Sequence, residues 1–386
     1  MIPAVKLHAS RQRGSLLGLA WGDALGCPVE FWDTADVRQV YGAYADLPAA
    51  IPFACLPARE DIWAHLRPLG LHSDDTQQAL ALIQACLAPG GWRIDAWADL
   101  LVRGEKRRAW RGTGRFFRQA VAALQNGASP WQSGTPSAGV GASMRIAPLG
   151  ALYHAQPDEL ACVVLESSLV THADARAIAS AYAIAVAVAH LVAGEQARNV
   201  RDSLPPLVRE FELRHLAPRF PDPAEHLAFS TVLGAALDPV HASLAESREA
   251  LCLAGGRAMQ ADMRHSPLTP NHPFALVGCV HALSAALWPE SEPSAMLGEV
   301  IRQGGDTDTI GAIAGALLGA RFGDAWIPVV RLRDHDFLLR YAEALVTCQL
   351  PESGDDFLQR EATYSSEERQ FSRDCLRRFQ AGRQQQ

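Results

Sequence analysis

Two short acidic segments carry the residues best suited to chemistry. One is Gly304-Gly305-Asp306-Thr307-Asp308-Thr309 and the other Ser73-Asp74-Asp75-Thr76. Each precedes a run with helical spacing, Ile310, Ile313, Ala314 and Leu317 in the first case and Leu80, Ile83, Cys86 and Leu87 in the second. Residues two apart on a helix point in nearly opposite directions, so Asp306 and Asp308 converge on one point only from irregular backbone. Gly304-Gly305 permits such backbone, because glycine accepts positive φ. Ser73, Asp74, Asp75, Asp306, Asp308 and Thr309 offer oxygen alone, a set that favours Mg²⁺, Mn²⁺ or Ca²⁺ over zinc. Gathered carboxylates repel, and one divalent ion, or two, would relieve the clash. Taken singly, each segment reads as a helix start, with Ser73 and Asp306 as N-caps and the adjacent acids complementing the helix dipole. Capping calls for neither an Asp-x-Asp behind a double glycine nor an Asp-Asp pair, so the two together point to a shared site.

Helices are the expected scaffold. Alanine and leucine dominate the apolar positions while Ile, Thr and Tyr are thin, which predicts an all-α fold. The 386 residues, 48% hydrophobic, suffice for one large core or two ordinary ones. Leu16, Leu17, Ala20 and Ala24 predict a first helix over 10–23, closed by Gly26 and Pro28, with Asp23 and Glu30 flanking its end. The Pro- and aromatic-rich stretch 31–71 reads as a long irregular connection of the kind that serves as a lid or specificity element. Further helices are expected over 94–102, 111–126, 160–169, 227–237, 244–259 and 274–287. The Ala-rich run 177–193, which Asp174 can cap, is nearly long enough to cross a bilayer, but Ser180, Tyr182 and His190 interrupt it and a central buried helix fits better. Residues 201–225 read as a polar surface excursion. One domain is expected over 1–350, followed by a charged extension, 351–386, that forms a loosely attached helix and is partly disordered at its end.

Between these helices, Thr135 to Arg145 is a stretch of small residues whose amides could approach a ligand closely. It has no P-loop lysine and no preceding strand, so neither phosphate-binding fingerprint applies. His172, just before a helix start, reads as structural on local grounds.

A net charge of −7 and a pI of about 6.0 give no electrostatic pull towards nucleic acid or an anionic membrane. The eight cysteines are scattered without a CxxC pair and read as small core residues in a reducing compartment, hence the cytoplasm. The basic N-terminus before Leu16-Leu17-Gly18-Leu19-Ala20-Trp21 resembles a signal peptide only superficially, since Asp23 cuts the apolar run short.

In order along the chain, five segments resemble those of the ADP-ribosylglycohydrolase family, which includes the dinitrogenase reductase-activating glycohydrolase. They are Gly18 to Glu30, Ser73-Asp74-Asp75-Thr76, Gly141-Ala142-Ser143-Met144-Arg145 with Ala147-Pro148-Leu149, Thr171-His172, and Gly304 to Thr309. The resemblance implies an all-α fold with a binuclear Mg²⁺ centre, Mn²⁺ in some members, held by Ser73, Asp74, Asp75, Asp306, Asp308 and Thr309. It further implies hydrolysis of the glycosidic bond between ADP-ribose and a modified acceptor, with arginine on a protein as the expected acceptor and ADP-ribose as the product. Asp306 is the first choice for proton transfer, with Glu30 and Asp75 as the other catalytic acids. Asp23, Ser137, Gly139, Gly141, Ser143, Met144 and His172 are expected at the substrate. Val140 stands where relatives often have Asn, which bears on the pocket, and Ser73 where Thr is commoner, which keeps the hydroxyl. Two other readings compete: an ADP-ribose-binding or immunity-type protein without turnover, and a Mg²⁺-dependent phosphohydrolase.

Overall fold

The computed structural model describes residues 4–259, 268–289, 292–351 and 356–384. Among these the fold is all-α. No strand is present, and the extended contacts are two isolated bridges, Thr135 with His172 and Gly139 with Phe274.

Two helices form the axis. The first, Ala4–Gly26, is longer than its apolar pattern announces, and it lies along Thr307–Phe322. Gly14, Gly18, Gly22 and Gly26 recur every fourth residue and face Gly319, Gly315, Gly311 and Thr307 in reverse order. A Cβ at any of the four would overlap backbone of the partner helix, so the two backbones touch directly. At i, i+4 spacing the glycines share one face, which produces the contact along the whole length. The antiparallel pairing lays the end of the first helix on the start of the second, where the Thr307 hydroxyl donates to the Gly26 carbonyl at 2.9 Å. Asp23, Cys27 and Glu30 thereby arrive beside Asp306 and Asp308.

The Ala-rich helix, Ala175–Ala193, is buried along nearly its whole length and packs against both axial helices. Asp174 caps it as expected, accepting from the Arg176 amide. Pro157–Leu169, Ala228–Ala236 and Gly278–Ala286 pack against it, and these helices together with Asp74–Leu87, Ile94–Lys106, Arg115–Gln125 and Leu244–Ala258 each lie close to an expected span.

Three expectations need correction. Residues 31–71 contain helices Thr34–Tyr41 and Glu60–Ala64 and a 3₁₀ turn, Phe53–Cys55. These helices are short and bury few residues, which is why no periodicity showed. Residues 201–225 are a surface excursion only in their second half. Residues 201–211 complete the helix Ala197–Phe211, whose Val200, Leu204, Val208 and Phe211 are buried at helical spacing beneath a charged outer face, and a π turn, Glu212–Leu216, leads to the exposed stretch that follows. The C-terminal extension is not loose. The expected helix is present as Phe357–Gln384, but it is packed down, with Phe357, Leu358, Cys375 and Phe379 buried and Phe379 5.5 Å from the Trp63 ring. The disorder expected at the terminus falls on residues outside those described. The cysteines, all free, divide: Cys27, Cys86, Cys279 and Cys375 are buried, Cys252 is half-buried, and Cys55, Cys162 and Cys348 are exposed.

Candidate functional site

Positive φ at Gly304 and Gly305, 67° and 77°, lets the acidic loop turn before Thr307–Phe322. A Cβ at Gly304 would meet the Trp32 carbonyl at 2.5 Å, and one at Gly305 the Asn271 carbonyl at 2.8 Å. Backbone bonds from Phe31 N to Gly305 O, 2.7 Å, and from Gly305 N to Trp32 O, 2.9 Å, tie the loop to the residues following Glu30. On its other side Asn271 donates to the Val300 and Gly304 carbonyls, each at 2.8 Å, and its own carbonyl accepts from Asp306 N. The Asn271 side-chain oxygen accepts from His281 Nδ1, and Arg248 donates to His281 Nε2. Those partners fix the neutral imidazole with its proton on Nδ1, in keeping with burial that holds this histidine well below its ordinary range. Sequence reasoning missed Asn271, His281 and Arg248, which carry no motif.

The other acidic segment starts helix Asp74–Leu87 and is clamped by Asp23. That carboxylate is fully buried and accepts from Ser73 N at 2.8 Å, Thr76 N at 3.1 Å and Thr76 Oγ1 at 2.6 Å. Ser73 is the N-cap, and its hydroxyl donates to Asp75 Oδ2 at 2.8 Å. Asp306 makes no such cap bond.

The two half-sites meet. Asp74, Asp75, Asp306, Asp308 and Thr309 line a cavity of ≈ 320 Å³ together with Glu30, Ser137, Gly139, Gly141, Met144 and His172. Asp23, Ser73 and Ser143 stand behind this lining. Asp23 and Ser73 build the helix start, and Ser143 is buried against the Ser180 hydroxyl at 2.6 Å. Val140, Phe31, Phe116 and Phe117 complete the walls. A cleft of ≈ 360 Å³ beside Pro68, Leu69 and Phe371 contains none of these acids.

Burial and mutual repulsion act on the acids in one direction. Burial, then Asp308 and Asp23, pushes Asp74 up to about 8. Burial, Asp23 and Asp308 raise Asp75 well above its ordinary range, and burial, Asp308 and Glu30 do the same to Asp306. Burial also raises Asp308 and takes Glu30 to about 8, in both cases against the pull of Arg67. The cavity therefore concentrates more negative charge than the surrounding protein answers.

A divalent cation fits this donor set. The acidic side of the lining offers oxygen alone, and Asp75 Oδ1 is buried without a hydrogen-bond partner. Asp23, Cys27 and Asp308 also come within 4.8 Å of one another, but that trio is already bonded internally. Burial keeps the Cys27 thiol protonated, and it donates to Asp23 Oδ1 at 3.3 Å while accepting from Arg67 at 3.2 Å. A hard cation is better served by Asp74, Asp75, Asp306 and Asp308.

On the opposite wall, Thr171 and His172 are bridged to the small-residue stretch through Thr135. Arg145, fully buried, donates to Thr171 Oγ1 and to Gln78 Oε1, and Gln78 donates to Asp74 Oδ2 at 2.6 Å. Burial and Arg145 hold His172 down at about 3, so its imidazole is neutral. Thr171 Oγ1, 2.8 Å from His172 Nδ1, fixes the ring from behind. Gly141 has no room for a side chain, since a Cβ would lie 2.9 Å from the ring.

Comparison with known proteins agrees with this architecture. Residues 4–354 match the profile of the family described as ADP-ribosylglycohydrolase. The ADP-ribosyl-[dinitrogen reductase] glycohydrolase of Rhodospirillum rubrum is 23% identical over 348 residues, covering 87% of this chain and 95% of that protein. The ADP-ribosylhydrolase ARH3 of Xenopus tropicalis is 25% identical, covering 83% and 89%. A solved structure titled ADP-ribosylglycohydrolase-related protein complex shares the fold at a TM-score of 0.61 and 23% identity, covering 89% of this chain and 100% of that one. The profile spans nearly all of the described fold, both acidic segments included, and the chain belongs to the ADP-ribosylglycohydrolase family.

Proposed function

We propose that this hydrolase releases ADP-ribose from a mono-ADP-ribosylated protein, with an arginine side chain as acceptor, and that it depends on Mg²⁺ or Mn²⁺. The observation that carries the reading is the meeting of Asp74 and Asp75 with Asp306 and Asp308 around one cavity, with one buried Asp75 oxygen left unpartnered. Asp74, Asp75, Asp306, Asp308 and Thr309 would hold the cations, two in number, with the Ser73 hydroxyl orienting Asp75. Bound there, the cations supply Lewis acidity and positive charge near the sugar.

The chain's own residues supply the rest. Asp306 is assigned the proton transfer. Glycosidic cleavage passes through an oxocarbenium-like state, and the remaining carboxylates stabilise that positive charge. Ser137, Gly139, Gly141, Met144 and neutral His172 form the wall for the rest of ADP-ribose. A second cavity of ≈ 150 Å³ opens across Glu30 and Phe31, lined also by Asp61, Ile62 and His65. Its apolar wall suits the aliphatic stem of arginine, while Glu30 and Asp61 at its edge are paired with Arg67 and Arg59.

The test follows ADP-ribose release from ADP-ribosyl-arginine protein with Mg²⁺ and with chelator. Release should need the metal and should fall by about 10³-fold or more in Asp306→Ala/Asp308→Ala, the scale of losing electrostatic stabilisation in a dry site. Undiminished release by that variant would sink the assignment.

A further inference from the structure

Three carboxylates converge on one buried guanidinium. Arg67 places Nη2 2.9 Å from Glu30 Oε2, Nη1 3.2 Å from Asp308 Oδ2 and Nε 3.0 Å from Glu368 Oε1. Nη1 also reaches the Cys27 sulfur, so each of the three nitrogens is engaged. Glu30 and Asp308 line the acidic cavity. Glu368 does not. It comes from the helix Phe357–Gln384, which lies beyond the residues 4–354 matched by the family profile.

A guanidinium bonded to Asp308 competes with any other cation for that carboxylate. How strongly it competes depends on how much of its charge is answered from its far side, and Glu368 gives that answer. We propose that Arg67, oriented by Glu368, is a built-in counter-cation that sets how tightly the acidic cavity takes up a divalent metal. The final helix thus tunes the site without touching the cavity. Arg67 and Glu368 are positioning residues, and the inference rests on the cation seat proposed above.

The two single changes should act in opposite directions. Arg67→Gln frees Glu30 and Asp308 for the incoming ion and strengthens uptake. Glu368→Gln leaves the whole Arg67 charge on Glu30 and Asp308 and weakens it. A merely structural strap would weaken uptake in both, since either change loosens the tie between the final helix and residue 67. The backbone beside Arg67 has a separate anchor, the Ser372 hydroxyl donating to the Leu66 carbonyl at 2.9 Å, which allows the charge to be changed without releasing the chain.

Mn²⁺ uptake by the full-length protein, read by calorimetry or by the paramagnetic resonance signal of free Mn²⁺, provides the test. Relative to the unaltered protein, the dissociation constant should fall about tenfold in Arg67→Gln and rise about tenfold in Glu368→Gln, as expected for one partly screened charge a few ångströms from the ion. In the double variant the effect of Glu368→Gln should vanish, because it acts through Arg67. Ser372→Ala, which cuts the backbone anchor without altering charge, should leave Mn²⁺ uptake unchanged, and it serves even where Arg67→Gln fails to fold. Parallel weakening in both single variants, or a Ser372→Ala loss equal to that of Glu368→Gln, overturns the proposal. Absence of Mn²⁺ uptake by the unaltered protein would overturn the cation seat itself.

Discussion

At the scale of single residues, Asp23 shows how an acid inside a functional motif can serve the fold. Its two oxygens take three donors from the start of helix Asp74–Leu87, one of them the Thr76 hydroxyl. In Asp23→Asn one oxygen becomes an NH₂ group, which must face a backbone N–H or give up its place. The expected loss is about 2 to 3 kcal/mol, the scale of leaving buried donors unmet, and the shift of the urea midpoint measures it. A stability unchanged within about 0.5 kcal/mol would count against the clamp, being no more than a surface substitution costs. Sequence alone placed Asp23 at the substrate because its neighbours match a motif, and a motif does not reveal which way a side chain points. The oxygen-rich residues Asp74, Asp75, Asp306 and Asp308 were legible because their types and spacing are unusual. Arg67 was not, since an arginine in a Pro-rich stretch has no pattern to set it apart.

Among the elements, the contact that matters most is the glycine face between Ala4–Gly26 and Thr307–Phe322. It was invisible to a reading based on apolar periodicity, because glycine contributes no hydrophobic signal. The four-residue spacing of Gly14, Gly18, Gly22 and Gly26 was the signal that could have revealed it. In Gly18→Ala the new methyl would overlap the Gly315 carbonyl, which is backbone and cannot rotate aside. The axial helices must separate, at a cost of about 3 kcal/mol or more, the upper end for overpacking. Gly382→Ala, with open space around its Cβ, should leave the thermal midpoint where it was. The informative comparison is the thermal midpoint together with Mn²⁺ uptake. Separation at Gly18 shifts the Gly26–Thr307 contact that sets the two half-sites, so both readings should fall in Gly18→Ala and neither in Gly382→Ala. Residues 31–71 and the final helix were misjudged for a related reason, since their stability comes from tertiary partners such as Trp63 against Phe379.

Across the whole molecule, the last helix closes on the first acidic segment through one buried acid. Glu361 pairs with Arg111 at 2.8 Å and with His72 at 3.3 Å, and Gln77 donates to it at 2.7 Å. His72 and Gln77 flank Ser73-Asp74-Asp75-Thr76, and the Arg111 carbonyl accepts from Asp74 N at 3.0 Å. Burial alone would raise Glu361, but Arg111, then His72 and Gln77, more than reverse this and bring it to about 2 from an ordinary 4.5. With the folded value below the unfolded one, the unfolded chain binds more protons between those limits. The contribution is therefore complete above about pH 4.5 and is lost as pH falls towards 2, and its size is on the order of 3 kcal/mol. Glu361→Gln removes it and strands the Arg111 charge, so at pH 7 the variant should be less stable by about 3 to 5 kcal/mol. The gap between the two proteins, taken from urea titrations at a series of pH values, should stay constant from pH 7 to about 5 and narrow below that. A gap that holds its full width down to pH 3 would mean that folding leaves Glu361 with the pKa it has in the unfolded chain, and that its pairing with Arg111 and His72 adds no stability.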